Sequence, residues 1–390
     1  MIKKSEGLTG EVYAPPSKAY THRALIASLL SNGVSKISNP LSSDDTQVTL
    51  QAIRAFGAKV NVWGSYWTVQ GVASLKIPRN PIDCRESGVT LRFVIPVAAL
   101  AHGPSTFILG SSLRRRPLKP LLQSLKQLGI ESNIQRNEKS TLVIIYGRGI
   151  KGGKTSIRGD ISSQFISGLL FACPKADEDT EIIVTTPLES RSYVQMTMGV
   201  LMKHDIKLSA STDLRQFKIP SGQEYSPCCH EVPGDFSSAA FLLAAAAITF
   251  SKVKVKNLNH LTTQGDKAIL NILKEMGSKV RVGDGYIEVE GYEPTAINVD
   301  ARDIPDLIPV CAALACYSKG TSKLYNAKRL RYKESDRLSS LYVELKKMGA
   351  NIVAIRDALI IRGPCAMHGA IVNPHDDHRI AMSYAVAALG

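Results

Sequence analysis

Aromatic side chains are scarce: they make up 6% of the 390 residues. Surfaces that bind nucleic acid interleave basic runs with aromatics, so this composition argues against that class. No apolar stretch reaches the roughly 18–20 residues needed to cross a bilayer as a helix, which excludes a membrane-spanning helix. The seven cysteines contain no Cys-x-x-Cys pair and no finger-like spacing, so no metal centre is expected. Met1 to Leu8 lack the apolar stretch of a secretory signal, and the expected setting is a reduced, cytoplasmic one.

Acidic residues are also short in number, 34 Asp and Glu against 48 Lys and Arg, for a net charge of +14. Such an excess calls for an anionic partner or reflects a generally basic surface. The basic residues are mostly scattered, with the densest cluster at Arg114-Arg115-Arg116-Pro117-Leu118-Lys119. An anionic metabolite fits that distribution better than a nucleic acid. With 44% apolar and 21% charged residues the chain is globular, and its length suggests two domains.

An internal repeat organises the chain. Segments from Leu50, Leu121, Ile269 and Ser340 each place apolar residues every three or four positions. Each then meets a glycine, at Gly57, Gly129, Gly277 and Gly349, before a short alternating stretch. The pattern predicts an amphipathic helix, a glycine stop and a half-buried strand. The glycines recur at multiples of about 72 residues, and a looser copy from Gly199 falls midway. Between these copies lie six helices of almost wholly apolar composition, predicted to start near Thr21, Thr90, Ser163, Ser237, Asp306 and His378. A helix apolar on every face is buried. Six buried helices with only five amphipathic partners predict a sixth unit left incomplete at Gly390, with Ile380, Tyr384 and Ala387 uncovered and the chain after Pro374 mobile.

Polar residues gather where the apolar helices begin. Helix N-termini present free N–H groups and partial positive charge, so they favour anions. If the six starts converge on one cleft, Lys18, Arg23, Arg92, Arg116, Arg337 and Arg379 would bring enough charge for two anionic groups. Arginine suits phosphate and carboxylate because its planar fork donates two parallel hydrogen bonds. Lys333 and Glu334 add a base and an acid in one turn, and Asp306 adds a carboxylate. Acid and base groups beside an anion clamp describe proton transfer on a phosphorylated or carboxylated substrate. His375, Asp376, Asp377 and His378 include metal-ligating types, but a turn into a helix accounts for them as well.

These motifs, in order, resemble the 5-enolpyruvylshikimate-3-phosphate synthase family. The resemblance rests on Pro15-Pro16-Ser17-Lys18-Ala19-Tyr20-Thr21-His22-Arg23-Ala24, Glu86-Ser87-Gly88-Val89-Thr90-Leu91-Arg92-Phe93 and Arg114-Arg115-Arg116-Pro117-Leu118. It continues through Ile161-Ser162-Ser163-Gln164-Phe165, Ile304-Pro305-Asp306, Arg331 to Arg337, and Asp376-Asp377-His378-Arg379-Ile380-Ala381-Met382. It implies an α/β (α+β) fold: a two-domain, inside-out barrel-like arrangement of six βαβαββ units in pseudo-threefold domains. The expected boundaries are 1–14 plus 231–390 for one domain and 15–230 for the other. The implied reaction moves the enolpyruvyl group of phosphoenolpyruvate to the 5-hydroxyl of shikimate 3-phosphate and releases phosphate, through a tetrahedral intermediate. The resemblance implies no cofactor and no metal, a monomer, and no partner beyond the two small substrates.

By the same resemblance Lys18, Asp306 and Glu334 are catalytic. Lys18, Ala19, Arg23, Ser162, Ser163, Gln164, Ser190, Tyr193, Asp306 and Lys333 would hold shikimate 3-phosphate. Lys18, Gly88, Arg116, Gln164, Arg337 and Arg379 would hold phosphoenolpyruvate. Asp306 would take the proton of the attacking hydroxyl, while Glu334 and Lys18 would serve the methylene carbon and the leaving phosphate. The chain departs from the family pattern at Ala19, where Ser is usual, at Val89, where Thr or Ser is usual, and at Arg329, where Asn is usual. The family's late Lys-Ser-aromatic-Pro motif has no counterpart before Gly390. The related UDP-N-acetylglucosamine enolpyruvyl transferases fit less well, since Ser111 stands where they carry a reactive cysteine.

Overall fold

The computed structural model describes residues 1–137 and 140–390. In chain order its α-helices are α1 Lys18–Leu30, α2 Asp44–Ala55, α3 Gly88–Ala98, α4 Lys119–Gln127, α5 Ser163–Ala172 and α6 Arg191–Lys203. They continue as α7 Phe236–Ile248, α8 Ile269–Glu275, α9 Ile308–Tyr317, α10 Arg337–Lys347 and α11 His378–Ala387. The odd-numbered helices are the apolar ones and the even-numbered ones are amphipathic.

Short polar side chains begin most of the apolar helices. Ser17, Ser87, Ser162, Asp235 and Asp377 each accept a hydrogen bond from a backbone N–H in the first turn that follows. Each bond satisfies a donor that the helix cannot pair internally. α9 starts without such a cap and uses Pro309 in its first turn instead, where a missing N–H costs nothing. The amphipathic helices stop where the glycines require it. Gly57, Gly129, Gly277 and Gly349 have φ of +108°, +88°, +105° and +95°, values that a side chain disfavours. After α6 the equivalent place is taken by Asp205, at φ +62°, which is why the repeat reads loosely there.

Among the described residues the strands form five four-stranded sheets. In one, Thr9–Tyr13 runs parallel to Lys252–Lys256, which pairs antiparallel with Tyr286–Glu290, itself antiparallel to Lys279–Gly283. The other four have the same pattern of one parallel and two antiparallel pairings.

The chain divides into two compact units, one of Met1–Pro15 with Pro233–Gly390 and one of Pro16–Val232. Strand pairing explains both crossings. Thr9–Tyr13 completes a sheet of the first unit, and Cys229–Glu231 completes one of the second by pairing with Lys36 to Ser38. Each unit has its own core. One gathers Leu25, Phe93, Phe107, Phe165 and Phe171, with the Phe93 and Phe171 rings packed edge to face at 5.4 Å. The other gathers Phe236, Leu243, Leu314, Leu341 and Ile380.

α11 does not present the bare face expected of it. Ile380, Tyr384 and Ala387 are all buried, because α11 packs against α7, α9 and α10. The Tyr384 hydroxyl donates to the Ser340 carbonyl at 2.9 Å, and the Tyr317 hydroxyl donates to the Ala387 carbonyl. Ser5 N–H donates to the Leu389 carbonyl at 2.9 Å, so the segment before the first strand is tied to the residues after α11. Nearby, the Asn373 N–H and the His375 ring both bond Glu344.

Candidate active site

In the unit 16–232 helices α1, α2 and α3 are joined by a chain of polar side chains. Ser87 Oγ lies 2.7 Å from Thr90 Oγ1, which lies 2.6 Å from Thr49 Oγ1, which lies 2.7 Å from His22 Nδ1. Burial lowers the pKa of His22 to about 3, so this ring is neutral and structural. Above it Lys18 Nζ meets Asp45 Oδ2 at 2.9 Å. Lys18 is partly exposed, and Asp45 steers its long side chain.

Gly88, Arg92, Arg116 and Gln164 form one contiguous patch. Arg92 donates to Gln164 Oε1 at 2.6 Å and to the Pro117 carbonyl at 3.3 Å. Arg116 reaches Ser112 Oγ at 3.4 Å. Ser112 is in turn held by Glu86, whose carboxylate also accepts from the Leu113 N–H. A Cβ added to Gly88 would stand 2.9 Å from Arg116 Nη1 and 3.3 Å from Arg92 Nη1. The bare glycine is what lets both guanidinium groups approach the N-terminus of α3.

Arg23 is buried deeper. Its guanidinium donates to Thr197 Oγ1, the Ala19 carbonyl and the Tyr193 carbonyl at 2.8, 2.7 and 2.9 Å. It also faces the rings of Phe93 and Tyr193. Burial pulls its pKa down to about 10, which still leaves it cationic at neutral pH. Ala19 therefore contributes a carbonyl to this cluster. Ser162 caps α5, Ser163 opens it, and both lie beside Gln164 at the edge of the patch. Ser190 precedes α6 in a left-handed conformation, φ +56°, an uncommon one for serine that is found disproportionately at functional sites.

The other unit carries a compact knot of charge centred on Arg337, the first residue of α10. Its guanidinium donates to Asp377 Oδ2 at 2.8 Å, Asp306 Oδ1 at 2.7 Å and Glu334 Oε2 at 2.9 Å. Arg337 is only 1% exposed, and burial opposes its charge. Glu334, Asp377 and Asp306 outweigh that and hold it firmly protonated. Asp306 is also approached by Lys333 at 3.4 Å and Arg379 at 3.5 Å. Burial would raise the pKa of Asp306, but Arg379, Lys333 and Arg337 together hold it well below the ordinary carboxylate range. Lys333 is pulled below its usual range by desolvation, against the stabilising charge of Asp306. All five residues expected in this unit, Asp306, Lys333, Glu334, Arg337 and Arg379, thus meet in one cluster.

Three residues of this machinery went unremarked at the sequence level or were not assigned a place in it. Asp45 orients Lys18. Asp377 both caps α11, accepting from the Arg379 N–H at 3.0 Å, and anchors Arg337. Asp266 is fully buried, and its pKa is raised to about 7, first by burial and then by the charge of Asp306. The Ser237 hydroxyl donates to it. Asp45 and Asp266 do leave a signal in the sequence: each is an acid just before or within the first turn leading into an amphipathic helix. The four residues from His375 to His378 do not converge as metal ligands. His375 turns to Glu344 at 3.2 Å while Asp377 turns to Arg337.

The family model described as EPSP synthase (3-phosphoshikimate 1-carboxyvinyltransferase) matches residues 2–390. A 3-phosphoshikimate 1-carboxyvinyltransferase of Methanocaldococcus jannaschii is 42% identical over 393 residues, covering 100% of this chain and 91% of the relative. One from Methanocella arvoryzae is 44% identical over 391 residues with the same coverage. Among solved structures, an EPSP synthase from Acinetobacter baumannii superposes with a TM-score of 0.81 at 25% identity, covering 100% of this chain and 91% of that one. The enolpyruvyl transferase NikO from Streptomyces tendae superposes with a TM-score of 0.77 at 16% identity, covering 100% and 90%, a likeness of fold.

Proposed function

Given that the chain belongs to the EPSP synthase family, we propose that the charge knot around Arg337 and the patch around Gly88 are the chemical machinery of an enolpyruvyl transfer. The protein is a transferase that moves the enolpyruvyl group of phosphoenolpyruvate to shikimate 3-phosphate, a step of aromatic amino-acid biosynthesis. In our reading the 5-hydroxyl oxygen bonds to C2 of phosphoenolpyruvate while C3 gains a proton. The adduct then loses a C3 proton and, from C2, phosphate, leaving the enol ether.

The observation that carries this reading is the knot itself: three carboxylates and three cations within one hydrogen-bonded cluster. Arg337 and Arg379 are our candidates for the phosphoenolpyruvate anion in this unit, and Lys333 for shikimate 3-phosphate. Asp306, held anionic by those cations, becomes a better base as they are drawn onto substrate phosphate and carboxylate. That makes its uptake of the hydroxyl proton contingent on substrate. Glu334 is more exposed than Asp306, which suits a group that hands a proton to carbon. In the other unit Arg116, Gln164 and Gly88 are assigned to phosphoenolpyruvate, and Lys18 to both substrates and the leaving phosphate. Ser162, Ser163, Gln164, Ser190, Tyr193 and Arg23 are assigned to shikimate 3-phosphate, with Ala19 beside them.

All seven cysteines are free thiols, which supports a reducing, cytoplasmic setting, and among the described residues no helix is long and apolar enough to cross a membrane. We read the chain as a monomer, which light scattering would test.

A coupled phosphate-release assay with both substrates tests the activity, and Glu334→Gln tests the assignment. The variant should bind shikimate 3-phosphate within a few-fold of the parent while turnover falls by about two to four orders of magnitude. Near-normal turnover in Glu334→Gln would reduce that residue to a partner of Arg337.

A further inference from the structure

We propose that His204, Cys228 and His230 form a binding site for a soft divalent transition metal, Zn²⁺ in the first instance, within the unit 16–232. The site is separate from the enolpyruvyl machinery and does not depend on that reading. His204 Nε2 and His230 Nε2 lie 2.8 Å apart, and Cys228 Sγ lies 3.6 and 3.2 Å from them. Tetrahedral zinc with bonds of roughly 2.0–2.1 Å to nitrogen and 2.3 Å to sulfur spaces its ligand atoms by roughly 3.3–3.6 Å. The two sulfur–nitrogen separations are close to those values. The two nitrogens need to part by about half an ångström, a small rotation of two rings.

The backbone presents the three side chains together. Cys228 immediately precedes the strand Cys229–Glu231 and His230 lies within it, and their Sγ and Nε2 atoms come within 3.2 Å. His204 comes from the end of α6, where its N–H closes the last turn. The outer nitrogens of both rings are held by the protein. His204 Nδ1 lies 2.7 Å from the Ser226 carbonyl, which can only accept, so Nδ1 carries the proton and the Nε2 lone pair faces the trio. His230 Nδ1 lies 3.4 Å from the Tyr20 hydroxyl, itself bound by Lys203 Nζ at 3.0 Å. Such outer contacts orient metal-binding imidazoles, and on metal binding the proton with which His230 Nε2 bonds His204 would pass to His230 Nδ1, facing the Tyr20 oxygen. The histidines are buried, while Cys228 is partly exposed, which leaves a path in from solvent. Imidazole and thiolate together select Zn²⁺ and its neighbours over Mg²⁺ or Ca²⁺.

The consequence is a clamp. His230 belongs to the short strand Cys229–Glu231, which Cys228 immediately precedes, and that strand completes its sheet through three registered pairs with Lys36, Ile37 and Ser38. A metal would tie that strand to the end of α6, with Tyr20 of α1 packed edge-on against the His230 ring.

Cobalt is the probe. The chelator-treated, full chain should take up one Co²⁺ with the thiolate-to-metal absorption of a Cys-ligated site, and Zn²⁺ should displace it. Cys228→Ser should abolish that absorption and weaken Zn²⁺ binding at least tenfold, with phosphate-release activity retained. Circular dichroism and melting would establish that the variant folds. A second measurement needs no variant: Zn²⁺ should protect Cys228, but not the exposed Cys229, from alkylation mapped by mass spectrometry. No saturable binding, an unchanged cobalt spectrum in Cys228→Ser, or equal alkylation of Cys228 with and without Zn²⁺ would overturn the proposal. The trio would then be a hydrogen-bonded His–His–Cys cluster only.

Discussion

Gly88 shows how much one missing methyl can do. The space where its Cβ would stand belongs to Arg116 and Arg92. Gly88→Ala must push Arg116 aside by a few tenths of an ångström, and geometry at a reacting site is unforgiving of such shifts. The expected outcome is a KM for phosphoenolpyruvate raised about tenfold or more, with shikimate 3-phosphate affinity nearly unchanged. Steady-state kinetics with each substrate varied in turn checks it. Asp266 offers a test by pH. Its folded pKa, about 7, lies above the unfolded value of about 3.9. The folded state therefore holds the proton more tightly, and this contribution to stability is fully present below the unfolded pKa and lost as pH rises towards 7. Asp266→Asn keeps an acceptor for Ser237 and removes the titration. Its melting temperature relative to the parent should rise between pH 5 and pH 8. A difference that does not change with pH would mean that Asp266 is not held protonated.

At the scale of elements, the glycine stops are alike in sequence and unlike in surroundings. Gly129 has φ +88° and its nearest non-local atom to an added Cβ is 3.7 Å away. Gly349 has φ +95°, and an added Cβ would stand 2.4 Å from the Ala366 carbonyl oxygen. Gly129→Ala should cost the backbone term alone, about 1–2 kcal/mol. Gly349→Ala should cost clearly more, because backbone must also move. Denaturant unfolding of the two variants against the parent gives the comparison. The caps carry a second lesson. Ser87, Ser162 and Asp377 each close the first turn of a helix. Asp377 additionally holds Arg337, so one side chain serves both the start of α11 and the anchoring of a proposed ligand-binding arginine.

For the molecule as a whole the net charge of +14 is the main lever. Both substrates are multiply charged anions, and a strongly positive protein draws them in over distances of about a Debye length, near 10 Å at 0.1 M salt. Raising the salt from about 0.05 M to 0.5 M shortens that length roughly threefold. The KM of each substrate should therefore rise with salt, while kcat changes less. Kinetics at matched pH in a salt series, with a second salt to separate specific ion binding, tests this. A KM indifferent to salt would assign the positive surface no part in substrate capture.

Periodicity of apolar residues, glycine at the helix stops and small polar residues at the helix starts are local properties of the chain. The alternation of buried and amphipathic helices was therefore legible from the sequence, to within a few residues at each start. Asp306, Lys333, Glu334, Arg337 and Arg379 were legible as types, because they stand at or near helix starts, and a resemblance gave them roles. Their mutual arrangement was not. Arg337 meets Asp306 and Asp377 across separations of 31 and 40 residues, and no local rule pairs them. The covered face of α11 depends on α7, α9 and α10 arriving beside it. The raised pKa of Asp266 depends on burial next to Asp306. His204 and His230, 26 residues apart, meet only because a three-residue strand lies against the end of α6. Backbone propensity and hydrophobic period act over a few residues and are written in order along the chain. Electrostatics and ligand geometry act through space, and only the tertiary structure decides which groups share it.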